Sequence, residues 1–277
     1  MKNGRRTVVY DRDLRLEAYQ FEGILQPFPN HFHEHYVIGF VAQGERILFC
    51  RNCEYDISKG NIVLFHPGES HGCISKEGKS FDYRGLHIGK EVMLDWIEEI
   101  TGERELPEFR TNVICDDKDI LYYLRRIHEL IVNKGGRFEK EEMILLLIAM
   151  LTERYGEIFQ NRMPKCRKEI DTACTFLKEH YSEQICLEQV CQEVGLSKST
   201  LLRAFVKEKG VTPYRYLENI RVGEARKLLE QGETPIRTAM QTGFSDQSHF
   251  TNYFSRFIGL PPGLYRDILY KREECQL

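Results

Sequence analysis

The spacing of apolar and polar positions changes character twice along this chain. Between residues 17 and 90, β-rich runs at 36–41, 46–50, 61–65 and 81–88 are punctuated by Gly23, Gly44, Gly60, Gly68 and Gly78, which predicts an antiparallel barrel or sandwich. After Lys90 the period becomes helical. A helix is predicted over 91–100, and a stronger one over 119–133, where Ile120, Leu121, Leu124, Ile127 and Ile131 share a face. Gly135-Gly136 ends it and another apolar helix follows over 139–155. That pair carries more apolar surface than a linker needs, so it must pack on the barrel, on itself or on a second subunit. From Pro164 onward nothing reads as a strand. Seven helices are predicted, over 166–181, 187–194, 198–209, 213–230, 235–241, 246–257 and 262–270, with Pro213, Pro235 and Pro262 near helix starts, where a missing amide costs little. The change of pattern places a domain cut near Pro164, between a first domain over 1–160 and a second over 164–277.

Composition narrows the class. With 42% hydrophobic and 29% charged residues the 277-residue chain reads as soluble and globular. Its longest apolar run, 143–151, is far below the roughly 20 residues of a membrane span. The first residues, with Lys2, Arg5 and Arg6, continue into Asp11, Arg12 and Asp13 rather than an apolar stretch, so no signal peptide is expected and the chain is read as cytoplasmic. Nine cysteines, odd in number and irregular in spacing, suit reduced thiols better than a disulfide framework. Cys50 and Cys53 flank Arg51-Asn52 at a predicted hairpin tip, and strand ends are preferred there over a metal or redox pair. The net charge of −3 excludes nucleic-acid binding by bulk positive charge, yet Lys198, Arg203, Lys207 and Lys209 face only Glu208 within one short helix.

One device occurs twice in the helical segment. Gly195-Leu196-Ser197 and Gly243-Phe244-Ser245 each follow a short helix and precede an amphipathic one. The glycine permits a tight turn, the Leu or Phe fills the angle between helices, and the serine can cap the next helix. This is the anatomy of a helix-turn-helix. Leu201 with Phe205, and Phe250 with Phe254, mark the buried faces. The opposite faces carry Lys198, Ser199, Leu202 and Arg203 in the first unit and Gln247, Ser248, His249, Thr251 and Asn252 in the second, side chains suited to base edges and phosphates. A single such face reads equally well as a solvated surface; two in tandem favour DNA recognition. The helix between them, 18 residues or about 27 Å long, spans a distance comparable to the ~34 Å repeat of the major groove.

These residues resemble the AraC/XylS family of regulators. Leu201-Leu202-Arg203-Ala204-Phe205 is similar to its first recognition helix, and Arg221 through Leu229 to its connecting helix. The run from Gly243 through Phe254, then Gly259-Leu260-Pro261-Pro262 and Tyr265-Arg266, is similar to its signature. The resemblance covers about a hundred residues and departs at Met240, where the family usually has a small residue. It implies DNA contacts by Ser199, Leu202, Arg203, Gln247, Ser248, His249, Thr251 and Asn252.

Five of nine histidines crowd into His31-Phe32-His33-Glu34-His35 and His66-Pro67-Gly68-Glu69-Ser70-His71. If His31 and His33 share a strand face, both enter one lumen with His71, and three imidazoles would suit zinc, iron or nickel. The pattern also resembles the cupin fold in the sensor version used by AraC-type regulators. Val37, however, stands where metal-binding cupins place a glutamate, so no metal or cofactor is assigned. An organic effector is expected instead, lined by His31, His33, Tyr36, His66, His71, Tyr83 and His87. The whole reads as a two-domain α+β protein: a cupin-like barrel with accessory helices for effector binding and dimerisation, then an all-α double helix-turn-helix. The function this implies is sequence-specific transcription regulation, with activation as the family's usual sense. Its partners would be an operator duplex, a small-molecule effector, RNA polymerase and a second copy of the chain, and no membrane. A metal-dependent cupin enzyme fused to a DNA-binding tail, and an effector-blind architectural protein, are the alternatives.

Overall fold

A computed structural model describes residues 4–51, 53–76, 78–157 and 166–274, with side chains to 268 except Arg256; Lys2, Asn52 and Pro164, used above, lie outside the described residues. The chain divides into two compact units, Met1–Met163 and Pro164–Leu277.

The first unit runs β1 (Arg5–Asp11), β2 (Leu16–Ile24), β3 (Phe28–His31), β4 (Tyr36–Gln43), β5 (Glu45–Cys50), β6 (Cys53–Ser58), β7 (Ile62–Phe65), β8 (His71–Ser75), β9 (Phe81–Ile88), α1 (Lys90–Thr101), β10 (Val113–Ile114), α2 (Lys118–Val132) and α3 (Arg137–Tyr155). The strands pair antiparallel in two sheets, ordered β1-β2-β9-β4-β7-β10 and β3-β8-β5-β6. Val37, Val41, Val63, Phe65 and Phe81 of the first meet Leu48, Cys50, Ile57 and Cys73 of the second in one core. The expected barrel is therefore two open sheets packed face to face, the double-sheet form of a jelly roll. Beyond the four β-rich runs the structure adds β1, β2, β3, β6, β8 and β10; of these β1, β3 and β6 lie at sheet edges with little apolar alternation, and β3 contains Pro29. Cys50 and Cys53 stand opposite each other at the β5–β6 hairpin as free thiols, with burial pushing the Cys50 thiol up to about 12.

Strand β4 is buried on both faces from Tyr36 to Val41. Period-two alternation sends Val37 and Val41 toward the opposing sheet and leaves Tyr36, Ile38 and Phe40 for the other side, where the Arg125 guanidinium of α2 lies 5.4 Å from the Phe40 ring. Helix α2 packs there, and its His128 donates from Nε2 to the Tyr19 carbonyl at 2.9 Å. Ile120, Leu124, Ile127 and Ile131 are all buried, so the apolar stripe of 119–133 is spent inside the unit rather than on a second subunit. Helix α3 is buried on nearly every side, and its charges are answered individually. Arg126 grips Glu139, while Lys140 reaches Asp11 at 2.6 Å and Asp13 at 2.5 Å.

In the second unit the described helices are α4 (Arg167–Glu179), α5 (Leu187–Val194), α6 (Lys198–Lys209), α7 (Pro213–Glu230), α8 (Pro235–Gln241), α9 (Gln247–Ile258) and α10 (Pro262–Glu274). They match the periodicity closely. Thr212 and Thr234 cap α7 and α8 through their hydroxyls, each followed by proline at the first helical position. Val222, Ala225 and Leu229 of α7 form a core with Ala239, Phe244, Phe250, Tyr253 and Phe254. Met240 points away from that core at 75% exposure; the small packing residue is Ala239 beside it.

Lys140 and Asp11 are 129 positions apart in the chain, and Asp11 is buried at 6% exposure. Lys140→Ala should therefore cost about 3–5 kcal/mol in urea unfolding, and adding Asp11→Asn should recover part of the loss. Equal stability of Lys140→Ala and the parent would show that Asp11 has access to water.

Candidate functional site

A cavity of about 290 Å³ lies between the two sheets of the first unit. Its lining is mainly apolar and aromatic, including Phe21, Phe28, Val37, Leu48, Phe65 and Phe81. Two glycines shape the floor. Gly39 and Gly85 face each other across β4 and β9, and the Tyr83 ring lies over both. A Cβ at Gly39 would fall 2.0 Å from the Tyr83 hydroxyl, so a larger residue there cannot coexist with this tyrosine position. The Tyr83 hydroxyl is buried with no hydrogen-bond partner among the described residues, and burial raises its pKa. Arg6 brings positive charge to the lining, its guanidinium 5.4 Å from the rings of both Phe21 and Phe28.

Five histidines border this space. His31 ends β3, while His33 and His35 follow it in a loop rather than on a continuous strand. His71 opens β8 directly opposite His31, and His87 comes from β9. Ring centroids are 4.8 Å apart for His31–His33, 4.6 Å for His31–His71 and 5.2 Å for His33–His71. His71 stacks on Phe65 at 3.7 Å, and His87 on Tyr19 at 3.8 Å. His35 Nε2 and His87 Nδ1 share a hydrogen bond of 2.8 Å. Burial, then the neighbouring imidazoles, pulls His33 down to about 4 and His87 to about 3. Burial likewise takes His71 to about 4 and lowers His35, so these four rings are neutral near pH 7.

Of the residues expected here, His31, His33, His71, Tyr83 and His87 line the cavity, and Tyr36 and His66 do not. Strand parity explains Tyr36: Val37 occupies the inward position, so Tyr36 turns outward and donates to the Pro107 carbonyl at 3.0 Å. His66 sits past the end of β7 and accepts the Phe109 amide at 2.9 Å, with its ring beside Tyr36 and Phe109. Both hold the segment around 107–109 in place. The sequence reading missed His35, Tyr19 and Arg6 as lining residues. The repeat of histidine at 31, 33 and 35 carried the signal for the first, and nothing local marked the other two.

In the second unit the two turns have the anticipated backbone. Gly195 and Gly243 are left-handed, at φ of 68° and 77°. Ser197 caps α6 by accepting the Thr200 amide, but in the second unit Asp246, not Ser245, caps α9, accepting the His249 amide at 2.7 Å. A carboxylate complements the positive end of the helix better than a hydroxyl, and Ser245 is left to donate to it. Helix α9 buries Phe250, Tyr253 and Phe254 and exposes Gln247, Ser248 and Asn252, with His249 and Thr251 half-buried at the margin. On α6 the expected face is only partly open. Lys198 and Arg203 are half-buried, whereas Ser199 and Leu202 are 2% and 0% exposed. Leu202 extends the apolar arc of Leu201 and Phe205, with Ser199 one turn before it on the same side, so these two do not present a reading surface here.

Helix α7 fastens the two helix-turn-helix units together. Its buried Arg221 donates to the carbonyls of Tyr181 and Glu183, both at 2.8 Å, in the turn before α5, and lies 6.0 Å from the Phe244 ring. Gln184 of the same turn donates to the Gly243 carbonyl at 3.2 Å. Nearly two turns earlier on α7, Arg215 hydrogen-bonds Tyr253 of α9 and reaches the buried Glu218 at 3.3 Å.

Comparison with known proteins gives a consistent result. Residues 190–268 match a helix-turn-helix domain family, and residues 15–148 match an AraC-like ligand binding domain family. The uncharacterized HTH-type transcriptional regulator YbfI of Bacillus subtilis (strain 168) is 43% identical over 250 residues, covering 90% of each chain. The HTH-type transcriptional activator RhaS of Salmonella schwarzengrund is 26% identical, covering 89% of each. Among solved structures, ToxT from Vibrio cholerae aligns over 97% of this chain and 99% of its own at 16% identity, with a TM-score of 0.39.

The buried imidazoles generate a pH dependence. An unfolded histidine titrates near 6.5, so between that pH and the lowered folded values the unfolded chain holds more protons. Stability from this source is complete above pH 6.5 and declines as pH falls toward 4. Urea unfolding in chelator-containing buffer should give a lower midpoint at pH 5 than at pH 7.5, with a smaller difference in His87→Asn. A midpoint unchanged between the two pH values would mean that the rings are fully hydrated.

Proposed function

The chain belongs to the AraC-type family of transcriptional regulators, with a helix-turn-helix DNA-binding region and a ligand-binding domain, and from that membership we propose that it reads a specific operator sequence under control of a small molecule held between its two N-terminal sheets. The observation that carries the first half is the polar, outward surface of α9, fixed to α7 by Arg215, Tyr253 and Glu218. Gln247, Ser248, His249, Thr251 and Asn252 supply the donors and acceptors for base edges. From the first unit Lys198 and Arg203 are the contacts, Lys198 to phosphate and Arg203 to a guanine edge. Ser199 and Leu202 join them only in an arrangement that uncovers α6.

The effector half rests on the cavity. Its volume suits a small organic molecule, and its few polar groups, namely Arg6, the imidazoles and the unpartnered Tyr83 hydroxyl, would fix the orientation of an apolar or aromatic body. An effector binding there shifts operator affinity by its preference for one state of the protein over another. RNA polymerase and a second copy of the chain complete the set of partners this reading includes.

Gln247→Ala should weaken operator binding by about 1–3 kcal/mol and relax preference at one base pair in a binding-site selection. Lys198→Ala should weaken binding evenly across sequences and flatten its salt dependence. Retention of both affinity and selected sequence by Gln247→Ala would remove α9 from the readout. For the effector, a thermal-shift screen of metabolites should find a compound whose stabilisation grows with concentration and is lost in Tyr83→Ala.

A further inference from the structure

The five-histidine cluster is richer than an organic pocket requires, and its internal hydrogen bonds sort it into two groups. His35 and His87 are committed to each other. The remaining three, His31, His33 and His71, bring one potential ligand atom each to within 4.8 Å of one another. We propose that these three form a binding site for a first-row divalent transition-metal ion, zinc above all, where the cavity meets solvent.

The hydrogen-bond pattern is the main argument. His31 Nδ1 lies 2.7 Å from the Pro29 carbonyl, and His71 Nδ1 lies 2.9 Å from the Glu69 carbonyl. A carbonyl oxygen only accepts, so each Nδ1 carries the hydrogen, and in the neutral ring each Nε2 is left with its lone pair. A metal-bound histidine typically makes this same outer hydrogen bond, which fixes both the tautomer and the ring direction. The scaffold beneath is rigid: β3 and β8 pair His31 directly with His71, and Phe65 lies flat against the His71 ring at an interplanar angle of 10°. Zinc bonds imidazole nitrogen at about 2.0–2.1 Å, so three donors around it stand about 3.4 Å apart. Reaching that from the present spacing needs movements on the order of 1 Å, and His33, on a loop and half-buried, is the ring free to make them.

The donor set also selects the ion. Three imidazoles with no carboxylate in the group disfavour magnesium and calcium, which take oxygen, and favour zinc, nickel, copper or iron. Val37 stands inward in the same cavity, so no glutamate from β4 closes the coordination sphere. That absence leaves an open position rather than no site, since three protein ligands plus water or a bound molecule is the form in which zinc stays reactive to added ligands. The assignment is independent of whether the cavity takes an organic effector.

The test is a titration of the full-length chain, stripped with chelator and without any metabolite, by zinc in a calorimeter. One ion should bind per chain. His31→Ala, His33→Ala and His71→Ala should each weaken binding at least 100-fold, while His35→Ala and His180→Ala, outside the group, change it less than tenfold. His31 and His33 are half-buried, so their variants remain folded, and circular dichroism of each variant confirms this before titration. Cobalt in place of zinc should give the visible absorption of a nitrogen-ligated tetrahedral ion in the parent and lose it in His33→Ala. Absence of stoichiometric binding, or binding that survives all three substitutions, overturns the site. A failed metabolite screen with intact zinc binding would count against the organic effector alone.

Discussion

A guanidinium buried in a helical unit has to find acceptors, and where Arg221 finds them decides the geometry of the whole C-terminal half. Its partners are the carbonyls of Tyr181 and Glu183, at the turn leading into the first helix-turn-helix. The second turn closes over the same place. A Cβ on Gly243 would stand 2.6 Å from the Tyr181 oxygen and 3.0 Å from Arg221 Nη2, in addition to the cost of its positive φ. The two reading helices therefore do not float at the ends of α7. The loop before α5 supplies both acceptors of Arg221 and, through Gln184, donates to the Gly243 carbonyl, so the approach to the first helix-turn-helix is fastened both to α7 and to the turn of the second.

In the N-terminal unit the equivalent constraint is strand parity. Because β4 is covered on both faces, its residues are apportioned strictly: Val37, Gly39 and Val41 inward, Tyr36, Ile38 and Phe40 outward. The inward glycine, with Gly85 beside it, clears a bed for the Tyr83 ring, and the volume above that ring becomes the cavity. Tyr36 and His66, so close in sequence to cavity residues, belong instead to the support of the 107–109 segment.

Most of the C-terminal half was legible in the sequence because its signals are local: caps, prolines at helix starts, left-handed glycines and a 3.6-residue apolar period. Where the reading slipped there, it was by treating one local rule as sufficient. Serine after the turn caps α6 but yields to Asp246 at α9, and Leu202 proved a buried residue rather than part of an open face. The N-terminal half was legible at β4, β5, β7 and β9, whereas β1, β3 and β6 at the sheet edges, and β2 and β8 inside the sheets, are defined by which strand they pair with. The histidine cluster shows the same limit. Composition located His31, His33 and His71, but the direction in which His31 and His71 donate is set by the Pro29 and Glu69 carbonyls, whose positions only the folded chain reveals.

The two helix-turn-helix units are not duplicates of one surface, and the difference suits a division of labour on the proposed duplex. Helix α6 carries Lys198, Arg203, Lys207 and Lys209, with Lys209 drawn aside to Asp171 at 3.0 Å. Helix α9 presents amide, hydroxyl and imidazole groups and almost no charge. Charge on a helix neutralises phosphates wherever the protein sits, so it governs affinity and salt response, whereas neutral hydrogen-bonding groups discriminate only when the right base edge lies opposite. Held in fixed relation by α7, a charged helix can anchor the protein, with Arg203 as its one base contact, while its neutral counterpart does most of the sequence testing one groove away. The burial of Ser199 and Leu202 deepens that contrast, because it removes from α6 the small side chains that would have read bases and leaves the long basic ones.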